Sequence, residues 1–339
     1  MELTVCVQQF FDRYLPRIKG VAENTVTAYR HAFSIFLPFA ARFHQTRVKA
    51  LATEHLSSDL ILSFLDHLED ERQNCPSTRN QRLAALKSLA RMVRLLYPED
   101  RMWAEKILAI PKKRAQKPLI GYLFPEEIVA VLKSVDLKRS DGFRDYTILH
   151  LLSDSGARAS EIATINLDYF DAQKKTLAIL GKGNRFRQIE LLEKTAQLIS
   201  VYIARYRPRP KPQYQKRLFI NQRREELTRH GINRICQRYL SLALPEKRLK
   251  GLNPAHSFRH SCAVNMLCDG KDITEIKNRL GHEKIETTMI YLKLDLSRKR
   301  NIQKEFIEYT QSRIAADPKL DELIDWKNKE ETLVWLDSL

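Results

Sequence analysis

The chain has 339 residues, and 58 lysines and arginines against 41 aspartates and glutamates give it a formal charge of +17. This length suits two domains, and the positive charge favours a polyanionic partner such as nucleic acid. No apolar run approaches the roughly 18 residues of a spanning helix, and the N-terminus lacks the order of a signal peptide, so we expect a cytoplasmic protein with no membrane partner.

Residues 1–110 predict a helical domain. Segments 25–43 and 77–98 space their apolar residues as amphipathic helices, the second opening with a Ser77 cap. On this second helix Arg79 and Arg82 are assigned to the face away from the leucines. That face is either a DNA contact or simply solvated.

Residues 111–118, "PKKRAQKP", predict a basic linker, because two prolines enclose four basic residues and Ala115 is the only apolar residue between them. Lys112, Lys113 and Arg114 are therefore candidates for contact with a DNA backbone. A second domain is expected over residues 119–310.

The second domain has a mixed pattern. Residues 124–135 and 143–156 predict helices, and residues 175–191 predict two strands joined by a Gly-Lys-Gly-Asn turn. The fold class is therefore mainly α with a small β-sheet. The remaining segment, residues 311–339, is acidic and predicts a short amphipathic helix that contacts protein through Trp335, Leu336 and Leu339.

Two basic residues of the second domain are candidates for catalytic roles. Arg158 is followed three residues later by Glu161, which can hold the guanidinium from one side, although a surface ion pair has the same spacing. Lys182 lies at the hairpin tip, where it is either a proton donor or merely solvated.

Two further segments carry histidines. In "NPAHSFRHSC", His256 and Arg259 share a helix face and suit a phosphate. A metal at His256 and His260 is the alternative, but Arg259 lies between them and no carboxylate supplies a third ligand. In "LGHEKIETTMIYL", Tyr291 follows His282 by nine residues.

Taken in order, these segments resemble the motifs of the tyrosine recombinase (phage integrase) family: A-R-x-S-E, G-K-G, H-x-x-R-H, and L-G-H with a later tyrosine. The resemblance covers about residues 120–305, and the helical N-terminal part resembles the family's core-binding (SAM-like) domain. It implies a catalytic set of Arg158, Lys182, His256, Arg259, His282 and Tyr291, with Glu161 in support.

The resemblance implies a site-specific DNA recombinase of integrase or transposon type, with no cofactor and no metal. Tyr291 would attack a phosphodiester held by the two arginines, His256 would handle its proton, and Lys182 would protonate the leaving 5′-hydroxyl. The expected partners are double-stranded recombination sites on the bacterial nucleoid and a homotetramer, alone or with related recombinases, acting through a Holliday junction. A type IB topoisomerase and a non-cutting DNA-binding regulator are the alternatives.

Overall fold

The computed structural model describes residues 2–115, 121–181, 183 and 185–293, and the chain divides into two compact units, Met1–Pro118 and Leu119–Leu339. Each unit has an apolar core of its own. The predictions for Lys182 and for the tail with Trp335, Leu336 and Leu339 lie outside the described residues. In the part of the chain that is described, no helix is both long and apolar enough to cross a membrane.

The first unit is helical, as the sequence predicts. Its helices are α1 (Leu3–Gln9, continued by the π-helical segment Phe10–Ile18), α2 (Glu23–Phe43), α3 (Ser58–Asp70), α4 (Pro76–Leu96) and α5 (Arg101–Ala109). The apolar face of α2 buries Phe33, Phe36 and Ala40, which follow one another at helical spacing. The ring of Phe36 lies 5.0 Å from that of Phe64 on α3, so aromatic packing joins the two helices.

Helix α4 corrects two predictions. Cys75, and not Ser77, is its N-cap, and Pro76 opens the helix where its missing N–H costs nothing. The placement of Arg79 on the outer face was wrong, because a residue four positions before Leu83 shares its face. Arg79 is 8% exposed and its Nε lies 3.7 Å from the Glu69 carboxylate.

Arg82 is also less exposed than predicted. It is half-buried, and its Nη1 donates to the carbonyl oxygen of Ala28 at 3.5 Å. The linker residues Lys112, Lys113 and Arg114, in contrast, are exposed. The backbone N–H of Lys113 donates to Asn80 at 3.0 Å, so the beginning of the linker is bound to α4.

The second unit packs helices around a small sheet. Its helices are α6 (Pro125–Lys133), α7 (Ser140–Ser155), α8 (Ala159–Ala163), α9 (Glu193–Val201, continued by the π-helical segment Tyr202–Tyr206), α10 (Arg229–Ala243), α11 (Glu246–Leu249), α12 (Pro254–Cys268), α13 (Ile273–Leu280) and α14 (Glu286–Met289, followed by the 3₁₀ turn Ile290–Lys293). The predicted end of α7 at Gly156 is present, and this glycine is left-handed with φ 60°. The mainly α fold class with a small sheet is confirmed.

The sheet is antiparallel, in the order β1 (Phe170–Asp171), β2 (Thr176–Leu180) and β3 (Phe186–Glu190). The hairpin of β2 and β3 matches the sequence, whereas the two-residue β1 is too short to show an alternating pattern. Leu177 pairs with Ile189, and Ile179 pairs with Arg187. Paired residues project from the same face, so Arg187 lies on the buried face of the hairpin beside fully buried Ile179.

Gly156 generates a stability prediction. A Cβ at this position would lie 2.5 Å from Cδ2 of buried Leu280 and 3.1 Å from Sγ of Cys262, in a backbone conformation that already costs a non-glycine residue about 1–3 kcal/mol. We expect Gly156→Ala to lower the thermal unfolding midpoint by several degrees, measured by circular dichroism.

Gly270→Ala is the matched control, since Gly270 also has a positive φ (+78°) but nothing lies within 4 Å of its added Cβ. Gly270→Ala should therefore show the backbone strain alone and a smaller decrease. Equal decreases in the two variants would contradict tight packing around Gly156.

Candidate active site

Arg158 stands at the junction between α7 and α8, where it is the N-cap of α8. Its backbone N–H donates to Oε2 of Glu161 at 2.9 Å, and its Nη1 donates to Oε1 at 2.7 Å. The i,i+3 pairing expected from the sequence is therefore formed. The Arg158 side chain remains 34% exposed, so part of its guanidinium faces solvent and can reach a ligand.

Glu161 binds a second arginine that the sequence analysis did not select. Arg187 of β3 donates from Nη2 to Oε2 at 2.7 Å and from Nη1 to Oε1 at 3.2 Å. Burial by itself would raise the pKa of Glu161, but the hydrogen bonds and charges of Arg187 and Arg158 outweigh it and hold that pKa below its ordinary value. Glu161 is therefore ionised, and it is shared by two guanidinium groups.

Arg259 on α12 is fixed by the carboxyl ends of two other helices. Its Nη1 donates to the carbonyl oxygen of Gly156 at 2.7 Å, and its Nη2 donates to that of Leu280 at 2.8 Å. The residue is 2% exposed. Burial and, secondarily, the charge of Arg158 lower its pKa to about 10, so the guanidinium is still charged at neutral pH.

The hydroxyl of Tyr291 lies inside the protein, 2.8 Å from Nδ1 of His260. Tyr291 is 1% exposed, and burial raises its pKa to about 12 although Arg259 acts in the opposite direction. Burial, followed by the neighbouring His256 and Arg259, lowers the pKa of His260 to about 4. At neutral pH the pair is therefore a neutral imidazole and a neutral phenol.

The other two histidines flank this pair. His282 follows Gly281, the left-handed cap of α13, and its Nδ1 lies 2.8 Å from Oγ1 of Thr288. Its ring is parallel to that of Tyr291, with centroids 6.5 Å apart. His256 is exposed, and its ring centroid lies 5.9 Å from that of His260.

A cavity of 580 Å³ opens beside these groups. Arg158, Arg187 and His282 line it, as do the glycines that precede Lys182 and His282 in the sequence, Gly181 and Gly281. Its lining includes five arginines or lysines and two glutamates. Guanidinium and imidazole groups in a cationic cavity suit the non-bridging oxygens of a phosphodiester.

The structure thus brings together most of the side chains that the sequence selected. Arg158 and His282 line the cavity, and Glu161 is bonded to Arg158. Arg259 holds the carbonyl next to Gly281, and the ring of Tyr291 is parallel to that of His282. Two residues were missed. His260 was considered only as a metal ligand with His256, and the signal for Arg187 is its position two residues before buried Ile189 on the same strand face.

A metal ion bound at His256 and His260 would need at least one further ligand. Among residues 2–115, 121–181, 183 and 185–293, no group of three histidine, cysteine, aspartate or glutamate side chains is arranged to hold a metal ion.

Comparison with known proteins identifies both units. The Phage integrase family model matches residues 122–298, which is more than half of the chain, and the model for the Phage integrase N-terminal SAM-like domain matches residues 7–94. An integrase/recombinase of Sinorhizobium fredii, y4rD, is 33% identical over 268 residues, covering 76% of this chain and 92% of that protein. Tyrosine recombinase XerD of Staphylococcus epidermidis is 28% identical over 290 residues, covering 85% and 94%.

Solved structures show the same fold. The Tn1549 transposon integrase in complex with a circular intermediate DNA aligns with a TM-score of 0.65 at 16% sequence identity, covering 85% of this chain and 93% of that one. Enzymes of this kind cleave and religate DNA. The chain therefore belongs to the phage integrase family of tyrosine recombinases and is a site-specific recombinase.

Proposed function

We propose that this recombinase cuts DNA with Tyr291, forms a 3′-phosphotyrosine intermediate and exchanges strands between two duplexes through a Holliday junction. The observation that carries the proposal is the cationic cavity lined by Arg158 and His282, with the ring of Tyr291 parallel to that of His282 and its centroid 6.5 Å away. We propose that the recombinase integrates or excises a mobile element in the DNA of the bacterial cytoplasm. The likeness to integrase/recombinase y4rD and the Tn1549 transposon integrase supports this proposal.

In the proposed step, the phenolic oxygen of Tyr291 forms a bond to phosphorus, and the bond from phosphorus to the 5′-oxygen breaks. Arg158 and Arg259 neutralise the non-bridging oxygens, and Nε2 of His282 donates to one of them. Lys182 gives its proton to the departing 5′-oxygen. The tyrosyl ester keeps the energy of the broken phosphodiester, so a 5′-hydroxyl from another duplex can reverse the step.

The phenolic proton is the main energetic obstacle. With a pKa of about 12, ionising Tyr291 at pH 7 costs about 7 kcal/mol, because each pKa unit corresponds to about 1.4 kcal/mol. His260 holds the hydroxyl in the structure described, whereas the sequence assigned the proton to His256. We propose that exposed His256 accepts this proton when Tyr291 moves to the phosphate, since its ring is next to His260.

The first prediction tests the nucleophile. The probe is a nicked duplex whose sequence the wild-type protein has selected from a random pool. The nick is placed so that the cleaved fragment diffuses away, which prevents religation and leaves the covalent complex trapped. We expect Tyr291→Phe to bind this duplex with unchanged affinity and to form no covalent complex, because the substitution removes one nucleophilic oxygen. The measurement is denaturing electrophoresis alongside a mobility-shift titration.

Wild-type protein on the same duplex is the positive control. A covalent complex formed by Tyr291→Phe would disprove the assignment of Tyr291. Failure of the wild type to form any complex on its selected duplex would contradict the whole proposal.

A second prediction concerns chelation. Cleavage of the nicked duplex should be unchanged in excess EDTA, because Arg158 and Arg259 supply the positive charge that metal ions supply in other phosphoryl-transfer sites. Loss of cleavage on chelation, restored by added Mg²⁺, would argue for another mechanism.

The third prediction concerns assembly, for which we propose a homotetramer on two sites. Its acidic tail, with Trp335, Leu336 and Leu339, would dock on a neighbouring protomer, since a Trp-Leu anchor is a typical hot-spot composition and an acidic segment suits a basic host. Deleting residues 320–339 should leave half-site binding intact and reduce the synaptic complex and recombination. Native electrophoresis with one and two half-sites measures both, and wild-type levels of synapsis would show that the tail serves only its own protomer.

A further inference from the structure

We propose that Arg187 is a positioning residue for strand cleavage, which holds Arg158 and His282 in the geometry that the phosphate requires. The inference deepens the proposed function and rests on it. Arg187 is not one of the six residues that the motifs assign to the chemistry. Its place in the described structure, however, connects three of the four motif segments.

The first connection runs through Glu161. The two terminal nitrogens of Arg187 donate to the two carboxylate oxygens, with hydrogen bonds of 2.7 Å and 3.2 Å, and Arg158 donates one side-chain hydrogen bond to Oε1. Glu161 is 5% exposed, so water cannot replace either partner without structural change. The orientation of the Arg158 fork is therefore set by a carboxylate that Arg187 holds in place.

The second connection runs to the segment that carries His282. Nε of Arg187 donates to the carbonyl oxygen of Arg279 at 3.0 Å. A Cβ built on Gly281 would lie 2.8 Å from Nη1 and 3.1 Å from Cζ of Arg187, so the backbone of this glycine rests directly on the guanidinium. The position of His282, the next residue, follows from that contact.

The third connection is to the hairpin. Arg187 lies on β3, and a Cβ built on Gly181, the residue before Lys182, would lie 3.6 Å from its Nη1. The side chain of Arg187 thus passes between the two glycines that precede Lys182 and His282 in the sequence. A displacement of this side chain would move the A-R-x-S-E, G-K-G and L-G-H segments relative to one another.

Hydrogen bonding distinguishes Arg187 from the arginines assigned to the phosphate. Each of its three side-chain nitrogens donates to a protein oxygen, whereas the side-chain bonds described for Arg158 and Arg259 use one and two of their nitrogens. A lysine keeps the charge but presents one nitrogen, so it cannot form the paired bonds to Glu161 and the bond to Arg279 together. The charge of the arginine and the shape of its guanidinium group can therefore be tested separately.

The experiment compares Arg187→Lys and Arg187→Gln with wild type on the selected nicked duplex. We expect both variants to bind with wild-type affinity and to cleave at saturating protein roughly 10²-fold more slowly, because misplacement of reacting groups by about 1 Å has an effect of this size. Arg205→Gln is the matched control: Arg205 lies in the same unit and is exposed, and it is not part of the cavity lining. It loses the same charge and should cleave at nearly the wild-type rate.

The double variant Arg187→Gln with Glu161→Gln addresses folding. Removing Arg187 alone leaves a buried carboxylate with fewer partners, whereas the double variant leaves two neutral amides and should have a melting midpoint closer to wild type than Arg187→Gln has. If Arg187 acts through Glu161, the two effects are coupled, and the double variant cleaves faster than the product of the Arg187→Gln and Glu161→Gln effects predicts. A full wild-type cleavage rate in the folded double variant would overturn the proposal.

Two other results would also overturn it. Weakened DNA affinity with an unchanged saturating rate would make Arg187 a DNA ligand, and wild-type behaviour of Arg187→Lys would show that charge alone matters. The proposed function fails separately, if wild type forms no covalent complex or Tyr291→Phe still forms one on the same duplex.

Discussion

The site depends on one buried carboxylate that is shared by two arginines. Without Glu161, Arg158 and Arg187 would place two positive charges side by side in a poorly solvated region; with it, the three groups carry a net charge of one. The sharing of Glu161 by two arginines has a geometric consequence as well. Because both oxygens of Glu161 are occupied by arginine donors, the exposed part of Arg158 has few orientations left, which would preorganise the cavity for the phosphodiester that we propose.

Backbone carbonyls provide the second constraint. Arg259 binds Gly156 and Leu280, and Arg187 binds Arg279, so the last carbonyls of α7 and α13 are satisfied by arginines. These carbonyls would otherwise be unpaired at helix ends, where the helix dipole favours a positive charge. The same hydrogen bonds that complete the two helices therefore hold the arginines of the site, and the fold and the cationic cavity stabilise each other.

Much of this could be predicted from the sequence, and the failures have physical causes. Apolar spacing revealed α2, α4 and the hairpin, and the i,i+3 spacing revealed the pairing of Arg158 with Glu161. The prediction of an outward-facing Arg79 was wrong because it relied on the charge of the residue. The position of Arg79, four residues before Leu83, places it on the buried face. Arg187 and the bond between His260 and Tyr291 depend on contacts across 26 and 31 positions, which no local period reports.

The burial and the hydrogen bond of Tyr291 hold the residue in place, but they also oppose the ionisation of its hydroxyl. Its hydroxyl is bound to His260, its ring is buried, and its pKa is about 12, all of which oppose attack. In the proposed reaction, the displaced hydroxyl leaves the buried surroundings that raised its pKa, whereas the negative phosphodiester offsets part of the charge of Arg158 and Arg259 and does not itself favour the phenolate. In the mechanism we propose, this conformation has the arginines already held in place while Tyr291 is still bound to His260, so the binding of DNA would have to supply the free energy that releases Tyr291.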